Sequence, residues 1–206
     1  MTDKAIELVL LPSFLATEDK KHKSLVSGFI WKRYHTKGWD WCDNINKSDW
    51  TSEQINRFLV CLPFTKSTWN RASQWLEKHQ GEYWASIEPD IYYQANADFD
   101  VAIEKFIEYG RSYTAINCLG WMLQTKQTIK AKLCVQALLT ALSCKESSNI
   151  TARYRIAELI KFLQSEPSVA QEDLFKIEWK YLPLLNCHSS ANPKLLENRL
   201  GSVNIS

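Results

Sequence analysis

Apolar residues recur three and four positions apart over most of this chain, the spacing that gathers side chains on one face of an α-helix. In DFDVAIEKFIEYG, Phe99, Ala102, Ile103, Phe106 and Ile107 form one stripe, and Gly110 stands where a helix C-terminal glycine belongs. The stretch TIKAKLCVQALLTALSC repeats the pattern through Cys134, Ala137, Leu138, Ala141 and Leu142. Ala152, Ile156, Leu159, Ile160 and Leu163 make the next stripe. A further one, Ala170, Leu174, Ile177, Tyr181 and Leu184, meets Pro183, whose missing amide should disturb the helical ladder. Strand-type alternation is almost nowhere present. Each stripe covers one face only, so each helix needs a neighbour.

The connections are short. In AIEKFIEYGRSYTAINCLGWML, a glycine stop, an arginine and a serine separate two periodic segments, which reads as an antiparallel helical hairpin. Extended along the chain, this gives about four or five hairpins in series. No clean tetratricopeptide or ankyrin period is present. The expected fold class is all-α, an irregular, α-solenoid-like array of antiparallel helical hairpins. It is expected to form one helical domain over 1–206, with a loose N-terminal segment 1–20 and a C-terminal tail 201–206.

The densest aromatic stretch, GWDWCDNINKSDW, resolves largely into helix punctuation. Gly38 closes a helix that begins near Ser24, and Trp41 and Ile45 share a face of a short following helix. Thr51 and Gln54 have the spacing of a capping box, in which each side chain satisfies an orphaned backbone donor. Trp50 before that cap and Ile55 after it form a hydrophobic staple. The same staple recurs as Phe64 before Thr65 and Trp69 after it.

Composition agrees with helices: six glycines and six prolines are too few for a fold rich in turns. A net charge of +2 excludes a general affinity for nucleic acid, but the charge is banded. Asp19–Lys37 is basic, Glu77–Glu108 acidic, and Arg111–Lys161 basic again. Such bands suit the solvated faces of successive helices and also the steering of a charged partner. The cysteines at 42, 61, 118, 134, 144 and 187 have neither zinc-site nor disulfide-framework spacing, so reduced, buried thiols are expected. The N-terminal AIELVLLPSFLA lacks the charge pattern of a signal sequence, and no stretch approaches a membrane span. A cytoplasmic location and no membrane partner are expected.

No motif spells a reaction: there is no Walker loop, GxGxxG, HExxH or GxSxG. Cys187 and His188 are adjacent, but chain neighbours usually point apart. Glu88 and Asp90 around Pro89 suit a solvated loop as well as a carboxylate pair. His22, His35 and His79 are scattered. Neither a catalytic residue, a metal site nor a cofactor is therefore expected. The candidate protein-binding residues are Glu104 and Glu108, four apart in the acidic band, with Tyr92, Tyr93, Trp39 and Trp41 from the aromatic clusters. The alternative is a nucleic-acid contact along the basic segment 20–37, with Lys32, Arg33 and Lys37 on phosphates and Tyr34 stacking on a base.

Taken in order, GWDWCDNI, LPFTKSTWNRASQW, EYW, AIEKFIEYGRSYTAINCL, IEWKYLPLL and NPKLLENRL resemble the C-terminal helical region of large, mostly uncharacterised bacterial proteins. Some of these look like NTPase-linked defence or signalling proteins. The resemblance runs from about Gly28 to Leu200 and rests on spaced aromatic and apolar positions, so it implies a helical module and carries over no functional residue. The chain departs from that pattern at both ends, beginning with its own methionine and stopping at GSVNIS. Two readings follow, a free-standing module and a truncated remnant of a larger gene. The expected function is binding to another macromolecule, a protein before a nucleic acid, with an enzyme ranked last.

Overall fold

The computed structural model describes residues 6–89, 99–143, 150–185 and Pro193. All regular structure among them is helical, so the all-α class holds. No described helix is long and apolar enough to cross a membrane. Contacts divide the chain into two units, Met1–Asp90 and Ile91–Ser206, where the sequence reads as one array.

In the first unit a π-helical turn, Ile6–Leu10, leads into α1 (Leu11–Ala16), α2 (Lys20–Asn44), α3 (Ser52–Val60), α4 (Lys66–Leu76) and α5 (Gln80–Ser86). The segment expected to be loose is packed over its described part. Leu11 and Leu15 are buried, and Arg57 donates to the carbonyls of Leu15 and Thr17 at 3.1 and 2.7 Å. Pro12 sits in the opening turn of α1, where the helix has no use for its missing amide.

Helix α2 starts earlier than its apolar pattern suggests, for Asp19 caps it by accepting from the amides of Lys21 and His22 at 2.9 and 3.0 Å. Gly38 breaks it at φ 64° and ψ −156°, a conformation that side chains rarely adopt, and a short helical stretch resumes to Asn44. Lys47 folds back over that helix end. Its ammonium donates to the carbonyls of Cys42 and Ile45 at 2.7 and 2.9 Å and sits 4.3 Å from the Trp75 ring centre.

The capping box closes as expected: Gln54 N–H reaches the Thr51 hydroxyl at 3.2 Å, and Thr51 N–H reaches the Gln54 side chain at 2.8 Å. The Gln54 amide also donates to the Pro12 carbonyl, tying α3 to α1. Phe64 and Trp69 pack edge to face, 4.9 Å between centroids, and both are buried beside Trp84. Trp50 is half-buried and lies against Phe58.

The second unit contains α6 (Phe99–Glu108), α7 (Ser112–Gln124), α8 (Ala131–Ala141), α9 (Ile150–Ser165) and α10 (Gln171–Leu185). Helix α7 packs against α6, α8 and α9. Its buried residues, from Ser112 and Ala115 to Trp121 and Met122, surround its axis. Where α9 crosses it, Arg155 lies over Gly120 and donates to the Gly120 carbonyl at 2.9 Å. A methyl group at 120 would stand 2.3 Å from Arg155 Cδ and 2.8 Å from its Cβ.

Gly110, at φ 75°, ends α6 as expected, with Arg111 N–H bonded to Phe106 O and Gly110 N–H to Ile107 O. Helix α7 ends in the same bond pattern, but Lys126, at φ 59°, takes the left-handed position. Helix α10 continues through Pro183 to Leu185. Its buried stripe runs Leu174, Ile177, Tyr181 and Leu185, keeping the regular spacing where the sequence reading placed Leu184.

Three outcomes follow from this packing. Lys126→Gly should stabilise the protein by about 1 kcal/mol, since glycine enters the left-handed region without the side-chain penalty. Denaturant unfolding measures it. Gly120→Ala should cost about 1–3 kcal/mol, and much less in an Arg155→Gly background, which removes every side-chain atom the new methyl meets, a coupling that a double-mutant cycle reads directly. Trp69→Ala should cost about 3–5 kcal/mol in the same assay, because its indole fills the aromatic core.

Candidate functional site

The inward stripe of α6 leaves Glu104 and Glu108 on its outer side, one turn apart and exposed. There they form one wall of a cleft of about 480 Å³. The opposite wall belongs to α8 and the residue that precedes it: Lys130, Lys132, Gln136 and Thr140. Ile107 and Leu133 give the cleft its apolar floor. An acidic row thus faces a basic one across a hydrophobic strip.

The charges are partly engaged. Lys105 Nζ reaches Glu108 Oε2 at 2.7 Å, and Lys130 Nζ reaches Asp100 Oδ2 at 2.8 Å. The hydrogen bond and charge of Asp100, with a smaller contribution from Glu104, raise the Lys130 pKa above its ordinary value. At the far end Thr140 donates to the Gln136 carbonyl at 2.7 Å, and its hydroxyl lies 2.8 Å from that of Ser112. These bonds orient the wall of α8 relative to α7.

The aromatic candidates fare differently. Trp41 is buried, its indole N–H donating to Glu7 Oε1 at 2.8 Å, so the structure corrects the expectation that it meets a partner. Trp39 is half-buried in a stack of its own unit. The Arg71 guanidinium lies 3.8 Å from its ring centre, and Tyr34 packs edge-on at 5.1 Å. Arg71 in turn grips Asp43 with two bonds, of 2.7 and 2.6 Å. That pairing holds the Asp43 carboxyl below its ordinary value, while burial raises the Tyr34 phenol. Tyr92 and Tyr93 lie outside the described residues.

The basic candidates do not all share a face. Lys32 and Lys37 are exposed, but five positions on a helix separate them by roughly 140°. Arg33 is half-buried, 3.8 Å from Glu7 Oε1, with its guanidinium 5.3 Å from the Phe29 ring centre. Tyr34 is occupied against Trp39. Glu7, the acid within AIELVLLPSFLA, receives both Trp41 and Arg33. An acid inside an apolar run was the available sign of a buried polar partner.

The Cys187–His188 pair and Asp90 lie outside the described residues. Cys42 and Cys134 are buried, which pushes each thiol up to about 12. Among the described residues, no group of three or more His, Cys, Asp or Glu side chains is placed to hold a metal ion.

Acid should weaken the first unit through Asp43. A carboxyl more acidic in the folded than in the unfolded state stabilises above its unfolded pKa, here near 3.8. That contribution disappears as pH falls through the lower, folded value. Asp43→Asn should therefore melt lower than the parent at neutral pH and show a smaller loss on acidification below pH 3.8, followed by tryptophan fluorescence.

Comparison with known proteins finds no matching family model, curated protein or solved structure.

Proposed function

We propose that this chain is a non-catalytic module that binds another protein, and that the α6–α8 cleft is its contact surface. The observation that carries this reading is the pair of facing rows, Glu104 and Glu108 opposite Lys130 and Lys132, above Ile107 and Leu133. A segment of mixed charge with an apolar side would satisfy both walls and cover the floor. Charge complementarity of this kind fixes register and speeds encounter. The resemblance to C-terminal helical regions of large bacterial proteins supports a role as a module, and the burial of Cys42, Cys118 and Cys134 as free thiols suits a cytoplasmic setting. The alternative, a nucleic-acid contact along 20–37, draws on the exposed Lys21, Lys32 and Trp31 of α2.

The test is affinity purification from the native host, comparing the parent with the double variant Glu104→Lys, Glu108→Lys. Reversing two exposed charges should leave the fold intact and lower recovery of a discrete protein by about tenfold at low salt. The loss should shrink at high salt, where screening weakens the field of the walls. Equal recovery by a folded double variant would remove the acidic wall from the mechanism. Recovery of nuclease-sensitive material alone would favour the alternative.

A further inference from the structure

A second cavity, of about 380 Å³, opens within the first unit among α1, α2, α3 and α5. Its volume falls in the range of small-molecule sites, about 300–1,000 Å³. Phe14, Leu15, Val26 and Val60 give it apolar walls. The polar groups that reach it are matched in pairs. The Ser27 hydroxyl lies 3.3 Å from the Cys61 thiol, and the Asn56 amide donates to the Ser86 hydroxyl at 3.1 Å.

The rim is matched as well. Arg57 pairs with Glu53 and Glu18, and Lys23 pairs with Glu18 at 2.6 Å, so two cations face two anions. Arg57 also holds the carbonyls of Leu15 and Thr17, which fixes the end of α1 against α3. The cavity is therefore held open by bonds among its own walls. An ionic ligand would find no uncompensated opposite charge there and would lose its hydration on entry. A neutral apolar body meets no such cost, and the Asn56–Ser86 pair offers both a donor and an acceptor to a small polar group.

We propose that this cavity is a binding site for a small uncharged organic molecule, with an apolar body and one hydrogen-bonding group. The site stands apart from the protein-binding reading, since no residue of the α6–α8 cleft contributes to it.

The neutral fluorescent probe N-phenyl-1-naphthylamine, an aromatic body with a single N–H, tests the proposal on the full chain. Saturable binding at one site is expected, and Val60→Trp, which fills the cavity from α3, should weaken it by about tenfold or more. A measurement on unfilled protein guards against a variant that does not fold. With Cys144 and Cys187 replaced by serine, Cys61 is the described cysteine that is not fully buried. Its reaction with methyl methanethiosulfonate, followed by intact mass, should slow by about fivefold or more at saturating probe, because the thiol forms part of the wall.

An absence of saturable binding would overturn the proposal. So would an unchanged labelling rate, or equal binding by folded Val60→Trp, either of which would move the probe elsewhere, for instance to the exposed Leu25 and Trp31 of α2. Tighter binding of the anionic 8-anilinonaphthalene-1-sulfonate than of the neutral probe would overturn the assignment of an uncharged ligand.

Discussion

A helix enclosed by its neighbours can be approached closely only where its side chains are small, and α7 of the second unit lives under that constraint. Its answer is Gly120, over which Arg155 lies flat while its guanidinium takes the Gly120 carbonyl. Glycine inside a helix costs about 1 kcal/mol relative to alanine, a loss that the close approach of α9 offsets through burial and one charged hydrogen bond. With α9 seated there, α6 and α8 take other sides of α7, and the cleft between them follows. The candidate site is thus a by-product of how α7 is wrapped.

The first unit is organised by long polar reaches instead. Gln54, Arg57 and Trp41 each extend from the body of the unit to the N-terminal segment, meeting Pro12, Leu15, Thr17 and Glu7. Large aromatic residues fill the interior, with Trp69, Trp84, Phe64 and Phe58 within touching distance of one another or of other rings. Such residues contribute much buried area with few rotatable bonds, which suits a small unit built from short helices.

What the sequence disclosed was what is local. The stripes, the Thr51–Gln54 box, the Phe64–Trp69 staple and the Gly110 stop all involve residues at most five positions apart. Their geometry needs no knowledge of the fold. Glu104 and Glu108 were likewise legible, since residues off an apolar stripe face outward. The basic wall opposite them was visible only as part of a long charge band, because which helix lies beside α6 is a tertiary fact. Trp39 and Trp41, two positions apart in one motif, have different fates: one meets Glu7 and is buried, the other is covered by an arginine. The basic segment misled for a simpler reason. Consecutive charges counted along a helix point around it, and Arg33 turns inward to Glu7.

The inward turn of Lys47 changes how the first unit presents itself to its surroundings. Formal charge counts its ammonium as equal to that of Lys32, but burial lowers its pKa, and its protons are committed to the carbonyls of Cys42 and Ile45. Arg57 and Arg71 are likewise neutralised at close range by carboxylates. A field felt at a distance is set by charge that meets water uncompensated. An approaching ion or macromolecule therefore senses a surface less basic than the tally of lysines and arginines.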